Sequence, residues 1–292
     1  MTDHPTPSIR VTVDPTNPGQ FFACCGLLEL ADRLWPGAEG WFEKGEFCIA
    51  CEGNSDTLIG KLAGCVLTNT MTAEQRTRLK ELPLMRPQTA ILEAENKALE
   101  SLTREAPIRL HHPFEVTLDW FADTRAGGSR FKTWAGRQSV LKISQSMKEA
   151  IGAPAFRSRS PEEWLSYTVA ECGLPFNFDS DLGGQGGAID IGFSFDPLAG
   201  NAATRIEPTA RPFLELLAFV GLQRFRPRPV EKENRYLYCA WDRPLPIAIA
   251  ATAACAMTPM PGAPVFEFRL HYRTKYLKSF LPAIPFTGGS DE

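Results

Sequence analysis

The chain has 292 residues, of which 43% are hydrophobic and 22% charged, and its formal net charge is −3. This composition excludes disordered, fibrous and collagen-like classes, and the acidic balance excludes a uniformly basic protein. The most apolar run, 246–257, has 12 residues, whereas a membrane-spanning helix needs about 20. Because residues 1–5 lack a basic segment leading into an apolar one, we expect a cytoplasmic protein with no membrane partner.

Hydrophobic periodicity predicts an α+β fold built from strand–helix–strand units. A nearly continuous apolar stretch at 21–34, after a capping signal at Thr16 or Asn17, predicts a buried helix. The predicted elements in chain order are strand 9–13, helix 21–34, strand or hairpin 41–51, helices 57–66, 72–82 and 91–102, strand 114–120, helices 133–151 and 162–172, strand 189–195, helix 211–225, strand 235–241, helix 246–257 and strand 265–272.

These elements predict two units and a tail. Residues 1–124 form an N-terminal α+β unit with an exposed helical insertion at about 54–105. Residues 125–282 form a basic helix segment with a C-terminal α+β unit, and the tail at 283–292 is expected to be loose. One weak internal similarity links the two units, because 21–30 and 213–222 are both apolar helical segments with a glycine beside a leucine.

Positive charge is concentrated in the middle of the chain. Residues 125–160 hold eight basic side chains and one acidic one, whereas 1–124 carry a net −7 and 161–292 a net −3. Such a patch attracts a polyanion locally, and its aromatic residues can stack on bases; the alternative is a solvated helix face that binds nothing. Smaller basic clusters lie at 224–228 and at 269–278. The residues predicted to contact nucleic acid are Arg125, Arg130, Lys132, Trp134, Arg137, Gln138, Lys142, Arg157, Arg159, Gln185, Arg224, Arg226 and Arg228.

The glycine-rich segment 183–187 is a second candidate contact. Four glycines allow close approach to a groove, and Gln185 can both donate and accept hydrogen bonds, as the reading of a base edge requires. The segment does not match a phosphate-binding loop, because no Lys-Ser/Thr follows and the next predicted element is a strand. A mobile turn is the alternative interpretation.

The sequence contains no familiar catalytic motif. His111 and His112 are the one candidate acid–base pair for a metal-free ribonuclease, although adjacent side chains on an extended chain point apart. Cys48 and Cys51 have the spacing of half a zinc site, but they lie in and beside a predicted strand with no second pair nearby. We therefore expect no metal and no cofactor, and eight reduced cysteines.

Three segments resemble a known family. The segment 13–31, VDPTNPGQFFACCGLLELA, resembles a signature of CRISPR-associated proteins from type I-U (now type I-G) systems. Asp119 and Trp120 followed by KTWAGRQS at 132–139 is similar to a second block of that family, and the apolar segment 211–226 is similar to a third. The family implied is the small, large-subunit-like component of the Cascade effector complex, which acts in antiviral defence.

This resemblance implies ferredoxin/RAMP-like units and a function without catalysis. The protein would bind guide RNA (crRNA) and target DNA near the guide 5′ end. It would also help to recognise the target-adjacent motif (PAM), contact other Cascade subunits and help to recruit a separate helicase-nuclease. Two alternatives stay open: the repeating backbone subunit of the same complex, and a repeat-RNA processing endoribonuclease that uses His111 or His112.

Overall fold

The computed structural model describes residues 4–120, 139–170, 175–184, 209–230, 234–256, 260–273 and 276–287. They form an α+β protein, which confirms the predicted fold class. The helices are α1 (Pro18–Leu34), α2 (Ser55–Gly64), α3 (Ala73–Glu81), α4 (Ala90–Glu105), α5 (Val140–Gly152), α6 (Pro154–Arg157), α7 (Ser180–Gly184), α8 (Pro212–Arg224) and α9 (Ile247–Ala254). The strands are β1 (Ile9–Thr12), β2 (Glu39–Glu43), β3 (Glu46–Ala50), β4 (Leu67–Asn69), β5 (Ile108–Leu110), β6 (Val116–Leu118), β7 (Val169–Ala170), β8 (Thr209–Ala210), β9 (Arg228–Pro229), β10 (Arg235–Cys239), β11 (Leu245–Pro246), β12 (Val265–Arg273), β13 (Tyr276–Phe280) and β14 (Ile284–Pro285).

The first sheet contains four strands in the order β1–β3–β2–β11. A two-residue turn joins β2 to β3, and both of its residues, Lys44 and Gly45, have positive φ (50° and 82°). This turn type matches the right-handed twist of the strands, and glycine adopts it without strain. Because β1 and β2 are each antiparallel to β3, they are parallel to one another, with α1 connecting them.

The second sheet has the order β13–β12–β10–β9, and β14 pairs with β12 beside β13. Side chains alternate between its two faces, as in any strand. The inner face carries buried aromatic residues, of which Tyr238 and Phe268 contact the rings of Phe21 and Phe22 in α1. These inner residues are Tyr236, Tyr238, Phe266 and Phe268. Two small sheets, β4–β5–β6 and β7–β8, complete the strand pairing among the described residues.

The helices α1 and α8 pack against each other at the centre of the core. Every residue of α1 from Pro18 to Ala31 is buried, and so is α8 from Pro212 to Leu222. A Cβ atom added at Gly26 would lie 2.0 Å from the carbonyl oxygen of Leu217, and one added at Gly221 would lie 2.0 Å from that of Phe22. The two backbones therefore touch directly, and glycine is the only residue that fits at either position.

Most of the predicted helices and strands are present, although their first and last residues differ from the predicted ones. Asn17 caps α1 through its side chain, as predicted, and Thr72 and Gln75 form a reciprocal capping box at α3. The helix predicted at 133–151 is shorter, because Ser139 is its extended N-cap and α5 begins at Val140. Its predicted residues 133–138 lie outside the described residues, as does the strand predicted at 189–195.

The helix predicted at 162–172 is wrong. Its capping signal is satisfied, since Ser160 and Glu163 bond reciprocally, but only one 3₁₀ turn follows at Pro161–Glu163. Trp164 and Leu165 come next and are buried, and Leu165 and Val169 even have helical spacing, so the apolar pattern alone does not determine the structure of this segment. Val169–Ala170 then pairs with β8, in keeping with the β preference of its valine.

The core is continuous across the unit boundary predicted at residue 124, since one buried cluster contains residues from Ile9 to Ala283. Within the predicted insertion at 54–105, α2 buries Leu58 and Leu62 in that core, whereas α3 buries no residue. The tail predicted to be loose begins with a paired strand, because β14 bonds to β12 at Phe266 and Glu267.

We predict that Gly26→Ala destabilises the protein by about 3 kcal/mol or more, because the added methyl group forces two packed helices apart. The measurement is the free energy of unfolding in urea. The matched control is Gly60→Ala in α2, where an added Cβ meets nothing within 4 Å. That variant should be stabilised by up to about 1 kcal/mol through higher helix propensity. Equal stability of the two variants would contradict the helix contact.

Candidate nucleic-acid interface

The structure describes part of the predicted interface. Seven predicted contact residues lie outside the described residues: Arg125, Arg130, Lys132, Trp134, Arg137, Gln138 and Gln185. Gly183 and Gly184, the first two residues of the segment 183–187, are described and end the helical turn α7. The predicted contacts that can be placed are Lys142, Arg157, Arg159, Arg224, Arg226 and Arg228.

Lys142, Arg157 and Arg159 are exposed on α5 and the segment that follows it. The opposite face of α5 is buried through Ile143, Met147 and other apolar residues at helical spacing, so the helix presents its polar face outward. Arg159 has local partners, because its Nη1 atom lies 3.2 Å from Glu163 Oε1 and its guanidinium stands 5.3 Å from the ring of Tyr167. Arg157 and Arg159 also line a cavity of about 490 Å³.

The three arginines predicted at 224–228 have different surroundings. Arg224 Nε lies 2.5 Å from Glu29 Oε2, and Glu29 is only 2% exposed. Arg224 therefore neutralises a buried carboxylate of α1, and its phosphate contact stays a prediction. Arg226 is exposed, with its Nε atom 3.4 Å from the carbonyl oxygen of Gln223. Arg228 lies on β9 at the edge of the second sheet.

The outer face of the second sheet brings Arg228 together with Arg235, Arg269 and Glu267. In the strand register, Arg235 stands opposite Arg269, while Leu237 stands opposite both Glu267 and Arg228. The four charged residues line one cavity of about 520 Å³. We call this cavity the arginine cleft; its remaining lining residues are Pro229, Val230, Leu237, Ile284, Pro285, Phe286 and Thr287.

The charges in the arginine cleft do not balance within the described part of the chain. Glu267 is 5% exposed and pairs with Arg235 in a bidentate contact, with Arg235 Nε 2.7 Å from Glu267 Oε1. Arg269 is more distant, with Nε 4.0 Å from the same oxygen. The Nε atom of Arg228 is buried and has no hydrogen-bond partner among the described residues. Three guanidinium groups thus share one described carboxylate, and the cleft suits an anion.

Of the three arginines in the cleft, Arg228, Arg235 and Arg269, only Arg228 is predicted from the sequence as a contact to nucleic acid. Arg235 was not singled out, and Arg269 was seen only in a basic cluster along the strand. A signal was present, because Glu267 and Arg269 are two residues apart in a predicted strand and so share one face. The register that places Arg235 opposite Arg269 comes from strand pairing, which spacing alone does not predict.

A second charged cluster lies where α1 and α8 begin. Asn17 Nδ2 donates to Asp179 Oδ1 at 2.8 Å, and Arg211 Nη1 lies 3.1 Å from Asp179 and 3.0 Å from Asp181. Glu215, fully buried in the first turn of α8, accepts hydrogen bonds from the backbone N–H groups of Phe178 and Asp179. These carboxylates are bound within the protein, at the positive ends of two helices.

Burial raises the pKa of Glu215 to about 8, and the nearby carboxyl group of Asp179 acts in the same direction. Burial likewise raises the pKa of Asp179, although Arg211 opposes this change. The site therefore favours a proton on Glu215 near neutral pH, where an exposed glutamate is ionised.

The two histidines of the predicted acid–base pair have different surroundings. His111 Nε2 lies 2.8 Å from Thr68 Oγ1, which gives His111 a local partner, whereas His112 is exposed.

Cys48 is buried in β3, and Cys51 Sγ lies 3.2 Å from Ser8 Oγ. Across the described ranges, no three His, Cys, Asp or Glu side chains come together in a way that suits a metal ion. The expectation of no metal stays a prediction.

No family model, curated protein or solved structure matches this chain. Function is therefore inferred from its own residues and their geometry. Among the described residues, every helix is too short or too polar to cross a bilayer.

We predict that Glu215→Gln removes part of the pH dependence of stability. Between the ordinary glutamate pKa of 4.5 and a folded value of about 8, the native state holds a proton that the unfolded state has lost. The free energy of unfolding therefore falls as pH rises through this window, by up to about 1.4 kcal/mol per pH unit. Urea unfolding at pH 5, 6, 7 and 8 should show a flatter profile for the variant.

The control for this measurement is Glu74→Gln, which replaces an exposed carboxylate in the first turn of α3. Its profile should follow that of the wild type. If Glu215→Gln also follows the wild-type profile, Glu215 does not hold the proton in the native state.

Proposed function

We propose that this protein is a non-catalytic, nucleic-acid-binding subunit of an RNA-guided DNA surveillance complex. In this proposal it is the large-subunit-like component of a type I-U (I-G) CRISPR Cascade complex and acts in the cytoplasm. It binds guide RNA and target DNA near the guide 5′ end and contacts the target-adjacent motif. Its protein partners are the other Cascade subunits and a separate helicase-nuclease.

The Cascade part of the proposal rests on the resemblance of the segments 13–31, 119–139 and 211–226, and the nucleic-acid-binding part rests on the separation of charge along the chain. A net charge of +7 is confined to residues 125–160 of a protein that is acidic elsewhere. Glu163, just outside this segment, pairs with Arg159, and the positive charges that remain in excess repel one another unless a polyanion neutralises them. The described end of this segment is consistent with that role, because Lys142, Arg157 and Arg159 are exposed.

The arginine cleft adds a second basic surface, and its described lining residues all lie outside the segment 125–160. Guanidinium groups match phosphate geometry through paired N–H donors, and nucleic-acid backbones are bound mainly through phosphate. An extended polyanion that contacts both surfaces fits a subunit of a guide-containing assembly better than it fits a small-molecule enzyme.

The ferredoxin/RAMP-like part of the proposal is supported by the first sheet. The segment from β1 to β3 is a split βαβ unit, in which β3 lies between the parallel strands β1 and β2. The sheet departs from a complete ferredoxin-like unit, because β4 pairs with β5 elsewhere and β11 occupies the edge beside β2. The likeness extends to three strands.

We expect the triple variant Arg130→Glu, Lys132→Glu and Arg137→Glu to bind nucleic acid weakly and with a flatter salt dependence. Each lost phosphate contact on a duplex lowers the slope of log K against log salt concentration by about 0.9. The measurement is fluorescence anisotropy with a labelled duplex and a labelled guide RNA at several salt concentrations.

The matched control reverses three exposed lysines on α2, α3 and α4: Lys61, Lys80 and Lys97. It changes the net charge by the same amount, so it separates local contact from total charge. An unchanged slope in the Arg130, Lys132 and Arg137 variant, or equal losses in both variants, would refute the basic segment as the contact surface.

In this proposal Gln185 recognises the target-adjacent motif, and the candidate contacts to flanking phosphates are Arg224, Arg226 and Arg228. In the assembled complex, Gln185→Ala should relax motif preference in a library interference assay while guide binding is retained. An unaltered preference would move this role to another segment, with 129–138 as the next candidate.

Two measurements separate the proposal from its alternatives. Incubation with labelled repeat RNA in the absence of metal would reveal cleavage if His111 or His112 served a ribonuclease. Native mass measurement after co-expression with neighbouring genes gives the number of copies per complex. Several copies along one guide would identify the repeating backbone subunit instead.

A further inference from the structure

We infer that the arginine cleft binds the terminal phosphate of a single-stranded nucleic acid, a monoester rather than an internal diester. The inference rests on the proposed function for the class of its ligand. It concerns a surface formed by β9, β10, β12 and the segment around β14, whose described lining residues all lie outside the basic segment at 125–160.

The charge of the cleft matches a dianion. Glu267 neutralises Arg235 through a bidentate contact, which leaves Arg228 and Arg269 uncompensated among the described residues. A phosphate monoester carries about −1.5 to −2 charges at pH 7, whereas each internal phosphate of a strand carries one. A terminal phosphate therefore compensates both arginines, and an internal phosphate compensates only one.

The strand register places these arginines where they destabilise the protein in the absence of an anion, which indicates a binding role. Arg235 and Arg269 are directly opposed across two antiparallel strands, and like charges at such positions are destabilising. Arg228 Nε is buried without an acceptor among the described residues, which also costs free energy. An anion held between Arg228 and Arg269 would accept that N–H bond and relieve the repulsion.

The rest of the cleft suits a nucleoside. Beside the charged groups lie Leu237, which is buried, Phe286, which is half-buried, and Ile284, whose side chain is 62% exposed. A volume of about 520 Å³ falls in the range of about 300–1,000 Å³ that is usual for small-ligand pockets. Phe286 can stack on a base while the arginines hold the phosphate.

The test compares pentanucleotide RNAs of one sequence that carry a 5′-phosphate, a 3′-phosphate or hydroxyl groups at both ends. With the full chain, one phosphorylated RNA should bind about 10-fold or more tightly than the hydroxyl form, as expected for charge-assisted bonds to phosphate. That preference should weaken below pH 6, where the monoester gains a proton. A preference for either end supports the inference.

The variants are Arg228→Gln and Arg269→Gln, each of which should abolish the preference, because affinity for the phosphorylated RNA falls much further than affinity for the hydroxyl RNA. The matched control is Arg243→Gln, which removes an exposed arginine that does not line the cleft and has no predicted binding role. Arg228→Lys should restore part of the preference, since it keeps the charge without the planar fork. Thermal unfolding of each variant identifies any that misfold, and Arg269, 54% exposed, tolerates replacement best.

Equal affinity for all three RNAs, or a preference that survives in both glutamine variants, would overturn the inference. Inorganic phosphate that competes as well as uridine 5′-monophosphate would also overturn it, because the ligand would then be the free ion. The preference should persist when Arg130, Lys132 and Arg137 are reversed. If it persists while that reversal leaves the salt slope unchanged, the proposed function fails and the cleft assignment stands.

Discussion

The contact between α1 and α8 is the constraint on which the rest of the fold depends. Gly26 and Gly221 bring the two backbones together, and each glycine faces a carbonyl oxygen of the other helix. Both helices are buried on nearly every side, so they cannot turn a polar face to water as surface helices do. The sheets and outer helices pack around this pair, which fixes their distance from one another.

The two helices run in the same direction and are related by a near two-fold arrangement. Glu29 pairs with Arg224, 195 residues later, and the same separation relates Gly26 to Gly221 and Phe22 to Leu217. Polar contacts hold both ends of the pair. Glu29 pairs with Arg224 at the C-terminal end; at the N-terminal end Asp179 accepts a hydrogen bond from Asn17 and donates its backbone N–H to Glu215 of α8. A slide of one helix along the other would break both sets of contacts and leave buried carboxylates unpaired.

Local features of the sequence were sufficient to predict the helices that carry strong signals. The Asn17 cap, the Thr72 capping box and the apolar run of α8 each follow from neighbouring residues, and each is present. The prediction at 162–172 failed because a capping signal starts a turn without fixing its length, and Val169 and Ala170 pair with the distant strand β8 instead. Contacts between distant segments, such as Glu29 with Arg224, could not be predicted in this way. The one feature of the sequence that pointed to such contacts was the similarity of the segments 21–30 and 213–222.

The same alternation that builds the core also positions the arginine cleft. Tyr236 and Tyr238 point inward to the α1 aromatic residues, so Arg235 and Leu237 on the same strand must point outward. A one-residue slip between β10 and β12 would bury Arg235 and expose the tyrosines, at a large cost in free energy. The packing of α1 thus fixes the register that places Arg235 opposite Arg269. The packing of the core therefore fixes the position of the cleft. The charged residues of the cleft do not pack against α1, so they can be suited to the proposed ligand.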